Sequence, residues 1–131
     1  MKKWFVSLLV VLCCVSHEKE VSFAESINCS NIECINRYAQ KGNAQYQFIL
    51  GVCYKYGLKG LYQNYHEANV WFEKSADQNY AESQYMLGIA YEEGLGVRQN
   101  YFEAKEWYGK ACDNGDQRGC DAYTRLNSGG R

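Results

Sequence analysis

The chain has 131 residues, which is enough for one small domain. Its 14 Lys and Arg nearly balance its 15 Asp and Glu, so the formal net charge is -1 at pH 7, and no block of basic residues stands out. This balance argues against nucleic acid and against an anionic membrane surface as partners. Proline is absent and 12 tyrosines are present, which suits a compact helical domain.

The chain opens with the features of a secretory signal peptide. Two lysines precede an apolar run at residues 4–15, which is too short to span a membrane comfortably. Small residues ending at Ala24 offer a cleavage site, and a cut after Ser16 is the alternative. We expect residues 1–24 to be removed, rather than kept as an anchor. The product is then periplasmic or secreted and has no contact with the membrane.

Two segments of the chain repeat each other with an offset of 37 residues, which falls to 36 after a one-residue insertion in the first loop. One begins at Ala44 and the other at Ala81. The matched identities are Leu50-Gly51 with Leu87-Gly88, Tyr54 with Tyr91, Gly57 with Gly94, Asn64-Tyr65 with Asn100-Tyr101, and Ala68 and Trp71 with Ala104 and Trp107. So many identities at a nearly constant period indicate tandem structural repeats.

Each repeat has the pattern of two helices. Apolar residues of the later repeat recur on one helical face, at Tyr101, Ala104, Trp107, Tyr108 and Ala111. Asn64 and Asn100 stand where N-caps would begin the second helices, and Ser30 offers a third cap. Helix ends are marked by residues that tolerate a left-handed backbone, namely Gly42, Asn79 and Gly115.

This pattern predicts an all-α fold, an α/α solenoid of antiparallel helix pairs. We place two full repeats at about residues 44–79 and 81–115, with partial helices before and after them as polar caps. The predicted repeat domain covers residues 25–126, and residues 127–131 are predicted to form a flexible tail.

Glycines occupy two kinds of position in the repeats. Gly94 and Gly96 form a Gly-x-Gly that could suggest a phosphate-binding loop, but the segment before it is helical and no strand precedes it. We therefore interpret it as the turn between the two helices of a repeat. Gly51 and Gly88 lie inside predicted helices, where glycine is unfavourable, so we expect them to allow a neighbouring helix to approach closely.

The repeated residues closely resemble the Sel-one-like repeat family, helical solenoid relatives of the tetratricopeptide repeats. The family pattern is matched by Ala81, Gln84, Leu87, Gly88, Tyr91, Gly94, Gly96, Val97, Ala104, Trp107, Lys110 and Ala111. The first repeat departs from it at an inserted loop residue, at Leu61 in a valine position and at Ser75 in an alanine position. The resemblance covers about residues 30–126 and implies a scaffold that acts by protein–protein contact.

The cysteine spacing resembles that of the secreted, cysteine-rich Hcp-type branch of the family. This resemblance implies a disulfide between Cys112 and Cys120, and Gly115 places a turn between them that agrees with it. A second bridge between Cys34 and Cys53 is left open, with Cys34 as a small core residue as the alternative. Cys29 would then be a free thiol or an intermolecular link.

The sequence predicts no metal site, no cofactor and no catalytic residue. After removal of the signal, His66 is the only histidine, and a zinc site would lack any C-x-x-C pair. Some Hcp-type relatives are described as penicillin-binding proteins or weak β-lactamases, which makes such an activity the alternative function. Its nucleophile motif S-x-x-K occurs only at residues 16–19, without an accompanying Lys-Thr-Gly.

The favoured function is an exported scaffold that binds a protein partner, as an adaptor or as a periplasmic immunity-type protein. In helical solenoids the first helices line the concave, ligand-binding face. The residues that we select on these helices are Tyr46, Ile49, Tyr56, Met86 and Glu93. Val52 and Ile89 share the same stripe, but we expect them to pack against the preceding repeat.

Overall fold

The computed structural model describes residues 29–129. Within that range the chain forms six α-helices and no β-strand, which confirms the all-α fold class. The helices are α1 Ile32–Gln40, α2 Ala44–Tyr56, α3 Tyr65–Ala76, α4 Ala81–Glu93, α5 Tyr101–Asp113 and α6 Gln117–Ser128. The predicted signal peptide and its cleavage sites lie outside the described residues.

The six helices belong to one compact unit that begins at Asn31. Each helix packs against the next one in the chain, so α2 with α3 and α4 with α5 form the two helix pairs that the sequence repeat predicts. Helix α1 lies against α2, and α6 lies against α5 with an additional contact to α4. We call α2, α4 and α6 the first helices, because each begins a repeat or a partial repeat.

Asparagine side chains begin the second helices of the repeats. The side chain of Asn64 accepts a hydrogen bond from the amide of Glu67, and Asn100 accepts from two amides in the first turn of α5. At α1 the expected cap was wrong, because Asn31 rather than Ser30 fills this role. The helix begins at residue 32, so Asn31 has the extended backbone of an N-cap and accepts from the amide of Cys34 at 2.8 Å.

The left-handed positions lie where the sequence predicts them. Gly42, Asn79 and Gly115 have φ angles of 95°, 62° and 98° and connect the second helix of one repeat to the first helix of the next. Gly94 ends α4 in the left-handed conformation, and its amide donates to the carbonyl of Ala90. The Gly-x-Gly segment is therefore a helix-ending turn, as the sequence analysis concludes.

The last helix extends further than expected. Helix α6 continues to Ser128, so the boundary at residue 127 between domain and tail was placed too early. Leu126 is buried in the core and holds the final turn against the domain. The hydroxyl of Ser128 donates to the carbonyl of Arg125 at 3.1 Å, which satisfies an acceptor in this turn.

Glycines inside the first helices set the spacing within each helix pair. A methyl group placed on Gly51 would lie 2.6 Å from two ring carbons of Phe72, and one on Gly88 would lie closer still to the ring of Tyr108. Both aromatic rings are almost fully buried. The rings of the second helices therefore rest on bare backbone of the first helices, which is the close approach that the sequence predicts.

A buried glutamine in each repeat links three segments. The side-chain amide of Gln84 donates to the carbonyl of Ala76 at 3.1 Å, and its oxygen accepts from Asn114 at 2.9 Å. Gln47 makes the equivalent pair of hydrogen bonds one repeat earlier. Because both ends of each buried amide are paired, these bonds fix the position of consecutive helices at little desolvation cost.

Ser75, which stands where the family has alanine, has a structural role. Its hydroxyl donates to the carbonyl of Ala44 at 2.7 Å and accepts from the hydroxyl of Ser83 at 2.7 Å. Both serines are fully buried. This chain of hydrogen bonds joins α2, α3 and α4, so the departure from the family pattern ties the two repeats together.

The cysteines differ in part from the expected arrangement. A disulfide joins Cys112 in the last turn of α5 to Cys120 in the first turn of α6, with 4.5 Å between their Cα atoms. The bridge between Cys34 and Cys53 is not formed, because Cys34 is engaged in a different disulfide and Cys53 is a buried free thiol. Cys29, for which a free thiol or an intermolecular link was expected, is disulfide-bonded within the chain.

Candidate protein-binding face

The five residues selected from the sequence lie on α2 and α4. Ile49 and Met86 occupy equivalent positions of the two repeats, and so do Tyr56 and Glu93. We define the first-helix face as the side of α2, α4 and α6 that carries these positions. The repeat therefore presents two copies of the same pair of positions, with different chemistry in each copy.

Tyr56 and Glu93 are the exposed members of the set. Each is the last residue of its helix, and 56% of the surface of Tyr56 is accessible. The ammonium group of Lys55 lies 5.4 Å from the centroid of the Tyr56 ring. An aromatic side chain that is half in solvent and a carboxylate at the matching position offer a partner both apolar contact and a charge.

The other selected residues are partly covered. Met86 packs against the buried cluster that contains Phe72 and Leu87, and its sulfur accepts a hydrogen bond from Lys55 at 3.6 Å. Tyr46 stacks on Tyr38 of α1 with 4.9 Å between ring centroids. Ile49 is also only partly accessible. Met86 thus acts mainly as packing between the repeats.

Val52 and Ile89 are partly buried, but the expectation that they pack against the preceding repeat was wrong, because each contacts a cluster formed by the second helix of its own repeat and the first helix that follows. Val52 contacts the cluster centred on Phe72, and Ile89 contacts the cluster centred on Tyr108. Ile89 also lines a groove together with Tyr101 of α5 and Arg125 of α6.

An open groove of about 540 Å³ lies between α4, α6 and the start of α5, and sequence reasoning missed most of it. Its walls include Tyr85, Ile89 and Glu93 of α4, Tyr101 of α5 and Arg125 of α6. The repeat could not reveal it, because α6 belongs to a partial repeat with a different sequence. Only Glu93 was selected beforehand among these residues.

A carboxylate in this groove holds α6 in place. Both oxygens of Glu92 accept hydrogen bonds from the guanidinium of Arg125, at 2.7 and 2.9 Å. The hydroxyl of Tyr108 donates to the same carboxylate at 2.7 Å. The hydrogen bond from Arg125 is the largest cause that lowers the pKa of Glu92 below its ordinary value, and that from Tyr108 adds to it.

The stability of the domain is expected to fall in acid through Glu92. Because the pKa of Glu92 is lower in the folded state than in the unfolded state, its contribution is complete above the unfolded pKa of about 4.3 and is lost as the pH falls through the folded value. Urea unfolding of wild type and Arg125→Ala between pH 3 and 7 measures this. The variant should be less stable at pH 7, and the difference should shrink below about pH 4. A difference that stays constant with pH would contradict the assignment.

Groups that support catalysis or metal binding are sparse in this part of the chain. Among residues 29–129 no three His, Cys, Asp or Glu side chains are close enough together to hold a metal ion. His66 is exposed in the first turn of α3. The S-x-x-K motif at residues 16–19 lies outside the described range. No helix between residues 29 and 129 is long and apolar enough to cross a bilayer.

The sequence model of the Sel1 repeat matches residues 44–80 and 81–116. The chain is 36% identical over 66 residues to the ERAD-associated E3 ubiquitin-protein ligase component HRD3A of Arabidopsis thaliana, and the match covers 50% of this chain and 10% of the plant protein. The chain therefore spans about a tenth of the length of that relative.

Two solved structures share the fold. A Sel1 repeat protein from Oxalobacter formigenes is 32% identical, with a TM-score of 0.69 and coverage of 72% of this chain and 70% of that one. A protective antigen present in uropathogenic Escherichia coli strains, displaying an SLR fold, is 36% identical, with a TM-score of 0.71 and coverage of 74% and 21%.

Proposed function

Because the chain belongs to the Sel1 repeat family, whose members generally mediate protein–protein interactions, we propose that it is a scaffold that binds a protein partner on its first-helix face. The observation that carries this proposal is the equivalent placement of Tyr56 and Glu93, both exposed at the ends of first helices. Family members are typically non-catalytic, so we expect binding without turnover.

The rigidity of the domain supports a binding role. Consecutive helices are held at fixed positions by three kinds of link: the buried amides of Gln47 and Gln84, the hydrogen-bonded hydroxyl of Ser75, and the disulfide at Cys112. A face that is already ordered loses little conformational entropy when a partner binds. The face is small, because only two full repeats contribute to it, and the partner is therefore expected to be a short segment or a small domain.

We further propose that the protein works after export, as an adaptor or as a periplasmic immunity-type binder. Disulfide bonds persist in oxidising compartments, and Cys29, Cys34, Cys112 and Cys120 are all bonded. The likeness to a protective antigen of uropathogenic Escherichia coli agrees with an exposed location. The predicted signal at residues 1–24 would supply the route.

The test compares two matched double variants in a capture experiment. Oxidised protein is immobilised, exposed to periplasmic and secreted extract, and the retained partner is identified by mass spectrometry, purified and titrated. Tyr56→Ala with Glu93→Lys should weaken its binding at least about tenfold, since central aromatic contacts dominate interface energies. Phe102→Ala with Glu106→Lys likewise replaces one aromatic residue with alanine and one glutamate with lysine, at exposed positions of α5, and should leave the affinity within about twofold.

Equal binding by wild type and the first double variant would exclude the first-helix face. Hydrolysis of a chromogenic β-lactam by the purified protein, lost on mutation of Ser16 in a form that retains residues 16–19, would instead support the enzymatic alternative.

A further inference from the structure

The loop between α2 and α3, residues 57–64, exposes a leucine that the equivalent loop of the next repeat partly buries, and it also exposes a tyrosine that the next repeat lacks. Leu58 is 45% exposed and Tyr62 is 93% exposed. At the equivalent loop between α4 and α5, Leu95 is partly buried, and the exposed Arg98 stands in the position of Tyr62. An almost fully exposed tyrosine in the same loop as an exposed leucine is unusual on a protein surface and is typical of a contact site.

The difference follows from the length of the preceding second helix. In the later repeat, the loop rests on the start of α3, where Gly96 packs on the backbone of Tyr65 and the side chain of Asn69 donates to the carbonyl of Leu95 at 2.7 Å. Helix α1 precedes the earlier loop, and it begins at Ile32, one turn later in the repeat than α3. The helical turn that would cover Leu58 is therefore missing from α1.

The loop is nevertheless held in one conformation. The amide of Leu58 donates to the carbonyl of Cys53 at 2.8 Å, and the side chain of Gln63 donates to the carbonyl of Lys55 at 2.9 Å. The amide of Asn64 donates to the carbonyl of Tyr54 at 2.8 Å. These bonds anchor both ends of the loop to the last turns of α2, so its side chains are presented in fixed positions.

The stretch of sequence that contains this loop is basic. Residues 34–66 contain no Asp or Glu, and their charged residues are Arg37, Lys41, Lys55 and Lys59. Among the described residues, acidic side chains stand on both sides of that stretch. One precedes it in the first turn of α1, Glu33, and eleven follow it: Glu67, Glu73, Asp77, Glu82, Glu92, Glu93, Glu103, Glu106, Asp113, Asp116 and Asp121. Lys59 is exposed at the tip of the loop and makes no ion pair with any described residue.

We propose that Leu58, Lys59 and Tyr62 form a loop patch that binds an acidic segment of a partner protein, one that carries an aromatic or aliphatic side chain between its carboxylates. The carboxylates complement the charge of Lys59, which makes no ion pair with any described residue, and the apolar side chain covers Leu58 and Tyr62. This inference rests on the proposed function that the domain binds protein, and it adds the chemistry of the partner.

The test uses fluorescence anisotropy with a labelled peptide of about ten residues in which Asp and Glu flank two Phe residues. The purified protein should bind it saturably, should bind its Lys-substituted counterpart poorly, and should bind more weakly at higher salt. Lys59→Glu with Tyr62→Ala should raise the dissociation constant about tenfold. Arg98→Glu with Phe102→Ala makes a matched pair of changes at exposed sites of the next repeat and should leave it within about twofold.

Four results would overturn the loop patch as a site for an acidic segment: no binding of the acidic peptide, equal loss in both double variants, concentration-dependent self-association that Lys59→Glu abolishes, and binding to phosphatidylglycerol vesicles in place of the peptide. The two proposals can fail separately. If the affinity for a partner falls on mutation of Tyr56 and Glu93 but is unchanged by Lys59→Glu with Tyr62→Ala, the proposed function is supported and only the loop patch is excluded.

Discussion

Replacing Cys112 and Cys120 with alanine is expected to lower the free energy of unfolding by about 2.5 kcal/mol. The two residues are 8 apart in sequence and close a short loop between α5 and α6, so the bond removes conformations mainly from the unfolded chain. For a domain of this size the loss corresponds to a decrease of roughly 10–20 °C in melting temperature. Urea unfolding of the oxidised proteins measures the free energy directly.

The single variant Cys112→Ala provides the control, because it also removes the bond but leaves Cys120 in place. It should lose about as much stability as the double variant. Reductant should lower the free energy of unfolding of wild type more than that of the double variant. Any loss of stability that reductant still causes in the double variant comes from the disulfide bonds of Cys29 and Cys34. A double variant as stable as wild type would show that α5 and α6 are held by their packing alone.

Substituting Gly88 with alanine is expected to destabilise the domain by about 2 kcal/mol, although alanine is the better helix former. The added methyl group would collide with the ring of Tyr108. This ring is buried and its hydroxyl is hydrogen-bonded to Glu92, so it has no free direction in which to move. The helices would have to separate, and the cost of that overpacking exceeds the helix-propensity gain of about 0.5–1 kcal/mol.

Gly109→Ala is the matched control, because this glycine also lies inside a helix. A methyl group there would lie 3.3 Å from the ring of Tyr123, which is partly exposed and can shift toward solvent. Gly109→Ala is therefore expected to be neutral or to stabilise by up to about 1 kcal/mol. Opposite signs for the two glycines in thermal unfolding would support the packing argument, and equal gains in stability would refute it.

The helices and their caps were predictable because their signals are local. Three signals each act within a few residues of the chain: the spacing of apolar residues, the asparagines before α3 and α5, and the left-handed residues after each helix pair. Even so, the cap of α1 shifted from Ser30 to Asn31, and α6 extended to Ser128. The exact end of a helix depends on the packing of one or two residues. The sequence therefore predicts the boundaries of a helix less accurately than its existence.

The candidate site was only partly accessible to sequence reasoning. Tyr56 and Glu93 could be selected, because their positions on the first helices follow from the repeat. Met86 was selected by the same argument but packs between the repeats. The spacing of residues along a helix identifies a face, but it does not show how much of that face the neighbouring helix covers.

The amino-acid sequence by itself determined the fold class, the two repeats and the glycines on which the second helices pack, because a tandem period repeats the same local information in every unit. Only the tertiary structure decided the features that exist once. Arg125 meets Glu92 across 33 residues in a partial repeat that departs from the period, and Cys34 bonds elsewhere and leaves Cys53 free. Leu58 stays exposed because α1 is one turn shorter at its start than α3, and this depends on which helix lies beside the loop in space.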